Sequence, residues 1–235
     1  MGKKNLVMNN PLRILGLEKK VQDKDASMGL VMSRPGLGKT AILVQIALDS
    51  MLWGDKVLHV SIGESFDKTR AWYDDILALM GSTEKADSFQ TTVAEILPNR
   101  MIMTFKETGF SPIKLEERLG DLVQQNIYKP VCLIIDGYDF QAGTHKDLEE
   151  FKAFMVRNGV KMIWFSATTH REDERKSAAG VPAPCHEIDD LFDAVLMIAP
   201  KDDAVDLKIL KCNGCSVDAG TSLILDPSTM LIQKA

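Results

Sequence analysis

The chain has 235 residues, of which 45% are hydrophobic and 26% are charged. This balance is typical of a globular protein with a sizeable core and argues against a disordered chain. Because single α/β domains of about 200–250 residues are common, we expect residues 1–235 to form one domain. Within it we expect an N-terminal segment at 1–25 and a C-terminal extension at 200–235.

Charge and cysteine content narrow the possible functions. Lys and Arg total 28 against 33 acidic residues, a net charge of -5, so no bulk positive field attracts nucleic acid and any such contact must be local. Four cysteines without an apolar leader indicate a reducing compartment, and we expect a cytoplasmic protein. No apolar run reaches the roughly 18–20 residues that cross a bilayer, so no membrane contact is expected.

Short apolar runs alternate with longer amphipathic segments over most of the chain. The runs predict strands at 28–32, 57–62, 101–105, 131–135, 162–165 and 194–198. The amphipathic segments predict helices at 39–52, 67–80, 111–125 and 146–158. Most strand runs are apolar at every position, as parallel strands covered on both faces are. We therefore predict an α/β fold with a doubly wound, mostly parallel sheet flanked by helices.

The pattern changes after Pro200. Residues 205–211 and 221–225 read as two strands separated by turn residues that include Asn213-Gly214. Such turn residues between two apolar runs favour an antiparallel pairing. We therefore predict that the sheet ends in a C-terminal antiparallel hairpin.

A glycine-rich segment stands between the first predicted strand and the first long helix. It reads Ser-Arg-Pro-Gly-Leu-Gly-Lys-Thr at 33–40, close to the Walker pattern for phosphate binding, with a serine in place of the first glycine. In such a loop the backbone amides face phosphate oxygens, the lysine contacts the β and γ phosphates, and the Thr hydroxyl binds Mg²⁺. The predicted ATP-binding residues are Ser33, Arg34, Pro35, Gly36, Leu37, Gly38, Lys39, Thr40 and Ala41.

Two acidic residues follow predicted strands. Asp136 ends an apolar run at 131–135 and is the candidate carboxylate that holds Mg²⁺ through water, together with Thr40. Glu64 follows the run at 57–62, where open α/β sheets place their ligands, and is the candidate general base for the attacking water. The bland alternatives are a turn-capping Asp and a solvated Glu. The predicted catalytic residues are Lys39, Glu64 and Asp136.

These motifs and their order resemble the C-terminal ATPase domain of DnaB-type replicative helicases and, more broadly, the RecA/KaiC class. The likeness covers most of the chain. It is carried by residues 34–40, 60–65, 133–138, 164–169, 211–214 and 224–227. The resemblance implies a RecA-like fold that uses ATP and Mg²⁺, in a homo-oligomer such as a hexameric ring or filament whose sites are completed by neighbouring subunits. Because the phosphate loop begins at residue 33, we expect a stand-alone core without the helicases' N-terminal helical domain.

The chain departs from the family at two positions. Ala167 stands where the family has its γ-phosphate sensor glutamine, which leaves Thr168, Thr169 or His170 as the nearby polar residues. Cys212 stands where the resemblance would place the arginine finger that reaches into the neighbouring site. Lys211 or Lys208 would be a weaker substitute, because a lysine lacks the bidentate geometry of arginine.

A C-x-x-C pair and a charged segment have competing interpretations. Cys212 and Cys215 could join Cys185 and His186 in a zinc site or act in redox chemistry, but a single such pair at a predicted turn favours two small turn residues. RecA-like proteins place a DNA-contacting loop near residues 171–176. Here three acids beside three bases favour a solvated loop instead.

Three functions remain open at this stage. The first is a DnaB-like helicase that moves along single-stranded DNA, and the second is an ATP-gated regulator or assembly factor that acts on a protein partner. The third is a catalytically weak scaffold that binds nucleotide to set its shape. The acidic charge and the two departures favour the second and third.

Overall fold

The computed structural model describes residues 10–17, 26–81, 86–201 and 204–232. Residues 1–9 and 18–25 of the predicted N-terminal segment, and 233–235 of the C-terminal extension, lie outside this part. The helices are α1 (Pro11–Leu15), α2 (Lys39–Leu52), α3 (Phe66–Gly81), α4 (Ala86–Ile96), α5 (Pro112–Gln124) and α6 (His145–Asn158). The strands are β1 (Ser27–Ser33), β2 (Val57–Ile62), β3 (Arg100–Phe105), β4 (Cys132–Asp136), β5 (Met162–Thr168), β6 (Ala194–Lys201), β7 (Ala204–Cys212) and β8 (Ser222–Leu225).

The strands form one eight-stranded sheet in the order β3-β2-β4-β5-β1-β6-β7-β8. The pairs from β3 through β6 are parallel, and β7 and β8 add antiparallel pairs at the C-terminal edge. The predicted sheet with its C-terminal hairpin is therefore confirmed. Helices α1 and α4 were not predicted.

Two apolar cores lie on opposite faces of the sheet. Helix α2 is buried from Ala41 to Leu52 and packs on one face with α1 and α3. Helices α5 and α6 pack on the other face through Leu115, Leu119, Phe151 and neighbouring side chains. Burial of α2 on all sides explains why its sequence is apolar around nearly the whole helix.

Parallel register places matching positions of β2 and β4 on the same face of the sheet. Ser61 lies beside Asp136, and His59 lies beside Ile134. Both rows face the core that holds α2 and α3, because Ile134 and the flanking Val57 belong to it. The carboxyl ends of β2 and β4 therefore present Ser61 and Asp136 toward the start of α2.

The chain after β8 returns to the start of α2. The Asp226 carboxylate accepts hydrogen bonds from the amides of Ser228 at 2.8 Å and Thr229 at 3.1 Å, which closes a tight turn. The Gln45 side chain of α2 donates to the Met230 carbonyl at 2.9 Å. This turn, residues 226–230, covers one side of the glycine-rich loop and is called the C-terminal turn below.

In the part of the chain that the structure describes, no helix has both the length and the apolar character needed to span a membrane.

Candidate functional site

The glycine-rich loop connects the buried end of β1 to the start of α2. Gly36 and Gly38 have φ values of +78° and +86°, which only glycine adopts without strain. A side chain at Gly38 would also overlap the Met230 side chain of the C-terminal turn. Among the described residues no side chain caps the amino end of α2. The first-turn amides are therefore available to an anion, which the positive end of the helix dipole also favours.

Lys39 is the first residue of α2, and its side chain turns back over the loop. Its Nζ donates to the buried Ser33 hydroxyl at 3.4 Å. Burial lowers the pKa of Lys39, and the negative charge of Asp136 opposes this shift. The lysine thus places one partly desolvated charge between the loop and Asp136, where it would attract phosphate oxygens strongly.

Asp136, Thr40 and Ser166 form a hydrogen-bonded group, called here the Asp136 cluster. Thr40 Oγ1 donates to Asp136 Oδ2 at 2.7 Å, and the Ser166 hydroxyl donates to Asp136 Oδ1. The Gly137 amide in turn donates to Ser166 Oγ at 3.0 Å. The cluster joins α2, β4 and β5, and it offers the hydroxyl and carboxylate oxygens that Mg²⁺ prefers.

Glu64 lies just beyond β2 and is exposed. Its Oε1 accepts a hydrogen bond from Lys68 Nζ at 2.6 Å, and the two side chains are 51% and 59% exposed. Exposed ion pairs of this kind are worth about 0.2–1 kcal/mol. The carboxylate is therefore held by a partner that it can leave at small cost.

A cavity of about 850 Å³ brings most of the predicted site residues together, within the range of about 300–1,000 Å³ that is usual for ligand pockets. The predicted residues that line it are Gly36, Gly38, Lys39, Thr40, Glu64 and Asp136. The predicted residues that do not line it are Ser33, Arg34, Pro35, Leu37 and Ala41. Of these, Ser33 and Ala41 are buried, and Pro35 is exposed on the outside of the loop.

The remaining walls of the cavity were not predicted. Helix α3 supplies Trp72, Ile76 and Leu79, and the C-terminal turn supplies residues 227–230. These walls are largely apolar, whereas the loop end of the cavity is polar. The cavity therefore suits a ligand with a polar, anionic end and a flat, apolar end.

The sensor candidates lie elsewhere. Thr168 and His170 line a separate cavity of about 300 Å³, and Thr169 is buried with its amide donating to the Ser33 carbonyl at 2.9 Å. None of the three lines the 850 Å³ cavity. Sequence reasoning overlooked Ser166, which precedes them on β5 and contacts Asp136. The signal was available, because β4 and β5 were both predicted to be parallel strands of the sheet and Ser166 ends an apolar run.

The finger candidates also lie outside the cavity of this chain. Lys211 Nζ donates to the Asp189 carbonyl at 2.7 Å, and Lys208 is exposed on β7. The Cys212 and Cys215 sulfur atoms form a disulfide, which the sequence analysis did not predict. Cys185 is buried and not disulfide-bonded. Within the described ranges, no three His, Cys, Asp or Glu side chains are arranged to hold a metal ion, so the zinc alternative has no support.

The sheet order and the loop between β1 and α2 define a RecA-like ATPase fold. The solved ATPase domain of a DnaB-like helicase has a similar structure, with a TM-score of 0.65 over 95% of this chain and 90% of that chain. The two sequences are only 17% identical, so the likeness concerns the fold. No protein-family model matches the chain, and no curated protein matches it in sequence.

Proposed function

We propose that the chain is a Mg²⁺-dependent ATP-binding protein that hydrolyses ATP. The observation that carries the proposal is the single cavity shared by the uncapped start of α2, Lys39, the Asp136 cluster and Glu64. Each of these features suits one part of a magnesium–nucleotide complex, and together they supply anion, metal and water positions.

The roles follow from the chemistry of the groups. The amides at Gly36, Gly38 and the start of α2 would bind phosphate oxygens, and Lys39 would neutralise charge on the β and γ phosphates. Thr40 would bind Mg²⁺ directly, and Asp136 would hold it through water. Bound Mg²⁺ would neutralise phosphate charge and align the phosphates.

Glu64 would accept a proton from the attacking water. To do so it must exchange its contact with Lys68 for one with water, which the small cost of an exposed ion pair permits. The nucleobase would lie at the apolar end of the cavity, against Trp72 and Leu79 of α3.

Hydrolysis by a single chain would be slow. Among the described residues that line the cavity, the cationic side chains are Lys39 and Lys68, and Lys68 is paired with Glu64. Transferring a phosphoryl group requires more positive charge near the leaving phosphates than Lys39 supplies alone. We therefore propose a homo-oligomer, a ring or filament, in which a neighbouring copy completes the site.

A protein partner suits the chain better than single-stranded DNA. The segment after β5 is anchored, because Val181, Ala183 and Cys185 are buried. Within that segment Arg175 is paired with Asp173 at 2.6 Å, which lowers the pKa of Asp173 to about 2. A net charge of -5 adds no attraction for phosphates. We propose an ATP-dependent regulator or assembly factor. A DNA-translocating motor is the alternative.

The first test is equilibrium binding of a fluorescent ATP analogue with Mg²⁺. We expect Lys39→Ala to weaken binding about 100-fold or more, because phosphate charge would lose its buried cation. Lys146→Ala, which removes an exposed lysine at the start of α6, is the matched control and should bind like the wild type. Absence of Mg²⁺-dependent binding by the wild type would refute the proposal.

A filter-binding titration separates the two functional classes. Submicromolar capture of single-stranded DNA that weakens steeply with salt would support the motor. The regulator predicts micromolar or weaker capture, even with ATP present.

A further inference from the structure

A buried polar pair lies one layer beneath the cavity. On β2, Ser61 lines the cavity, and His59 lies two residues earlier on the same face of the sheet. His59 is fully buried, and its Nδ1 lies 3.0 Å from the Tyr73 hydroxyl of α3. The two rings meet edge to face with their centroids 5.6 Å apart. This contact is a polar link between β2 and α3 inside an otherwise apolar core.

The link is costly as core packing. His59 Nε2 is buried and has no hydrogen-bond partner among the described residues, and burying such a group without a partner costs about 1–3 kcal/mol. Burial also lowers the pKa of His59 to about 4, so the ring is neutral near pH 7. An apolar side chain would fill this site at lower cost. A directional contact instead holds two elements in one relative position, which an apolar contact does less strictly.

The position that the link holds is that of the α3 wall. Tyr73 directly follows Trp72 and lies one helical turn from Thr69 and Ile76, and these three residues line the cavity. Tyr73 is buried beneath them, with the Arg100 guanidinium 4.8 Å above its ring. A shift of Tyr73 along β2 would therefore move Trp72 and Ile76 relative to the phosphate loop.

We propose that His59 is a positioning residue for nucleotide binding, because its contact with the Tyr73 hydroxyl sets the distance between the α3 wall and the phosphate loop. The inference rests on the proposed function above. It assigns the link to the nucleoside end of the ligand. The phosphate end is held by α2 and β4, which this contact does not join.

Tyr73→Phe tests the inference, because it removes one hydroxyl and leaves the ring. We expect the affinity for Mg²⁺–ATP to fall about three- to tenfold. The affinity for Mg²⁺–tripolyphosphate, which has no nucleoside, should not change. Both affinities can be measured by competition with the fluorescent ATP analogue.

Tyr128→Phe is the matched control. The Tyr128 hydroxyl donates to the Val57 carbonyl at 2.9 Å, at the opposite end of β2 from the cavity. Its removal costs a buried hydrogen bond of the same kind, so the two variants should lose similar stability in urea unfolding. Only Tyr73→Phe should lose ATP affinity.

A double-mutant cycle with His59→Phe separates a positioning role from a general loss of stability. In the His59→Phe background, Tyr73→Phe should have no further effect on ATP affinity. If His59→Phe does not fold, the comparison of Tyr73→Phe with Tyr128→Phe decides alone. The inference is overturned if Tyr73→Phe weakens ATP and tripolyphosphate equally, acts like Tyr128→Phe on ATP, or has no effect. If the wild type binds no Mg²⁺–ATP, the proposed function fails first and the inference fails with it.

Discussion

The two sides of the candidate site differ in how far the protein prepares them. On the magnesium side, Thr40 and Ser166 already hold both oxygens of Asp136. On the water side, Glu64 is 51% exposed and held by Lys68, which lies in the first turn of the helix that follows it. The first side is built from elements that pass through the core, whereas the second begins a loop at the surface.

This difference separates binding from catalysis. Groups that α2, β4 and β5 hold in place lose little conformational freedom when a ligand arrives, so they favour binding. A carboxylate paired with a neighbouring lysine must be redirected before it can accept a proton. We therefore expect ATP binding by the isolated chain and faster hydrolysis only when something, such as a neighbouring copy, reorders the water side.

The strongest way to break this comparison is Glu64→Gln. We expect hydrolysis to fall about a thousandfold, because the amide cannot accept the proton of the attacking water. The affinity for Mg²⁺–ATP should stay within about twofold, since the phosphate-binding groups are unchanged. Steady-state hydrolysis and equilibrium binding measure the two effects.

Glu107→Gln is the control for this substitution. Glu107 lies near Gly63 at the end of β2 but lines a different cavity, of about 680 Å³. It should hydrolyse ATP like the wild type. Equal losses in the two variants would remove Glu64 as the base.

Acid should affect the water side through its supporting strand, because β2 carries the buried His59 and β4 has Ile134 at the same level. Burial, which outweighs the attraction of Asp136, lowers the pKa of His59 from 6.5 to about 4, and Arg100 lowers it further. Tyr73 also faces the ring. Unfolding therefore takes up a proton between these values, and stability present above pH 6.5 is lost as the pH falls toward 4.

The expected loss from His59 is about 3 kcal/mol between about pH 7 and pH 4. Urea unfolding at the two pH values should show a drop for the wild type that exceeds the drop for His59→Phe by about this amount. Equal drops would mean that the ring is protonated in the folded protein or is not buried in solution.

Ser166→Ala should have the smallest effect and tests the magnesium side. Without its hydroxyl, one oxygen of Asp136 loses its donor, and the carboxylate is less firmly oriented. We expect about tenfold more Mg²⁺ to be needed for half-maximal ATP binding, as for other residues that orient a metal-binding group. Binding of ATP in the presence of a chelator should not change.

Ser177→Ala is the control for Ser166→Ala. It removes a hydroxyl that donates to Asp189 at 2.7 Å, away from the cavity. Its Mg²⁺ requirement should equal that of the wild type. A shared change would mean that the effect comes from stability and is not specific to the Asp136 cluster.

Local patterns were enough to predict the sheet and the phosphate loop. The apolar runs marked all eight strands, and the loop was recognised from its strand, glycines and Gly-Lys-Thr ending. Helix α4 was missed because its surface is mostly polar, with few apolar residues such as Phe89 and Val93 packed against the core. The assignments of Lys39, Glu64 and Asp136 stay predictions until nucleotide binding is measured.

The sequence by itself determined where backbone amides, a lysine and a carboxylate would follow strands, because such signals depend on neighbouring residues. Only the tertiary structure decided that Ser166 contacts Asp136, that Lys68 holds Glu64, and that Tyr73 reaches His59. Strand register and helix packing bring these pairs together. Both depend on the whole core, so residue spacing along the chain could not predict them.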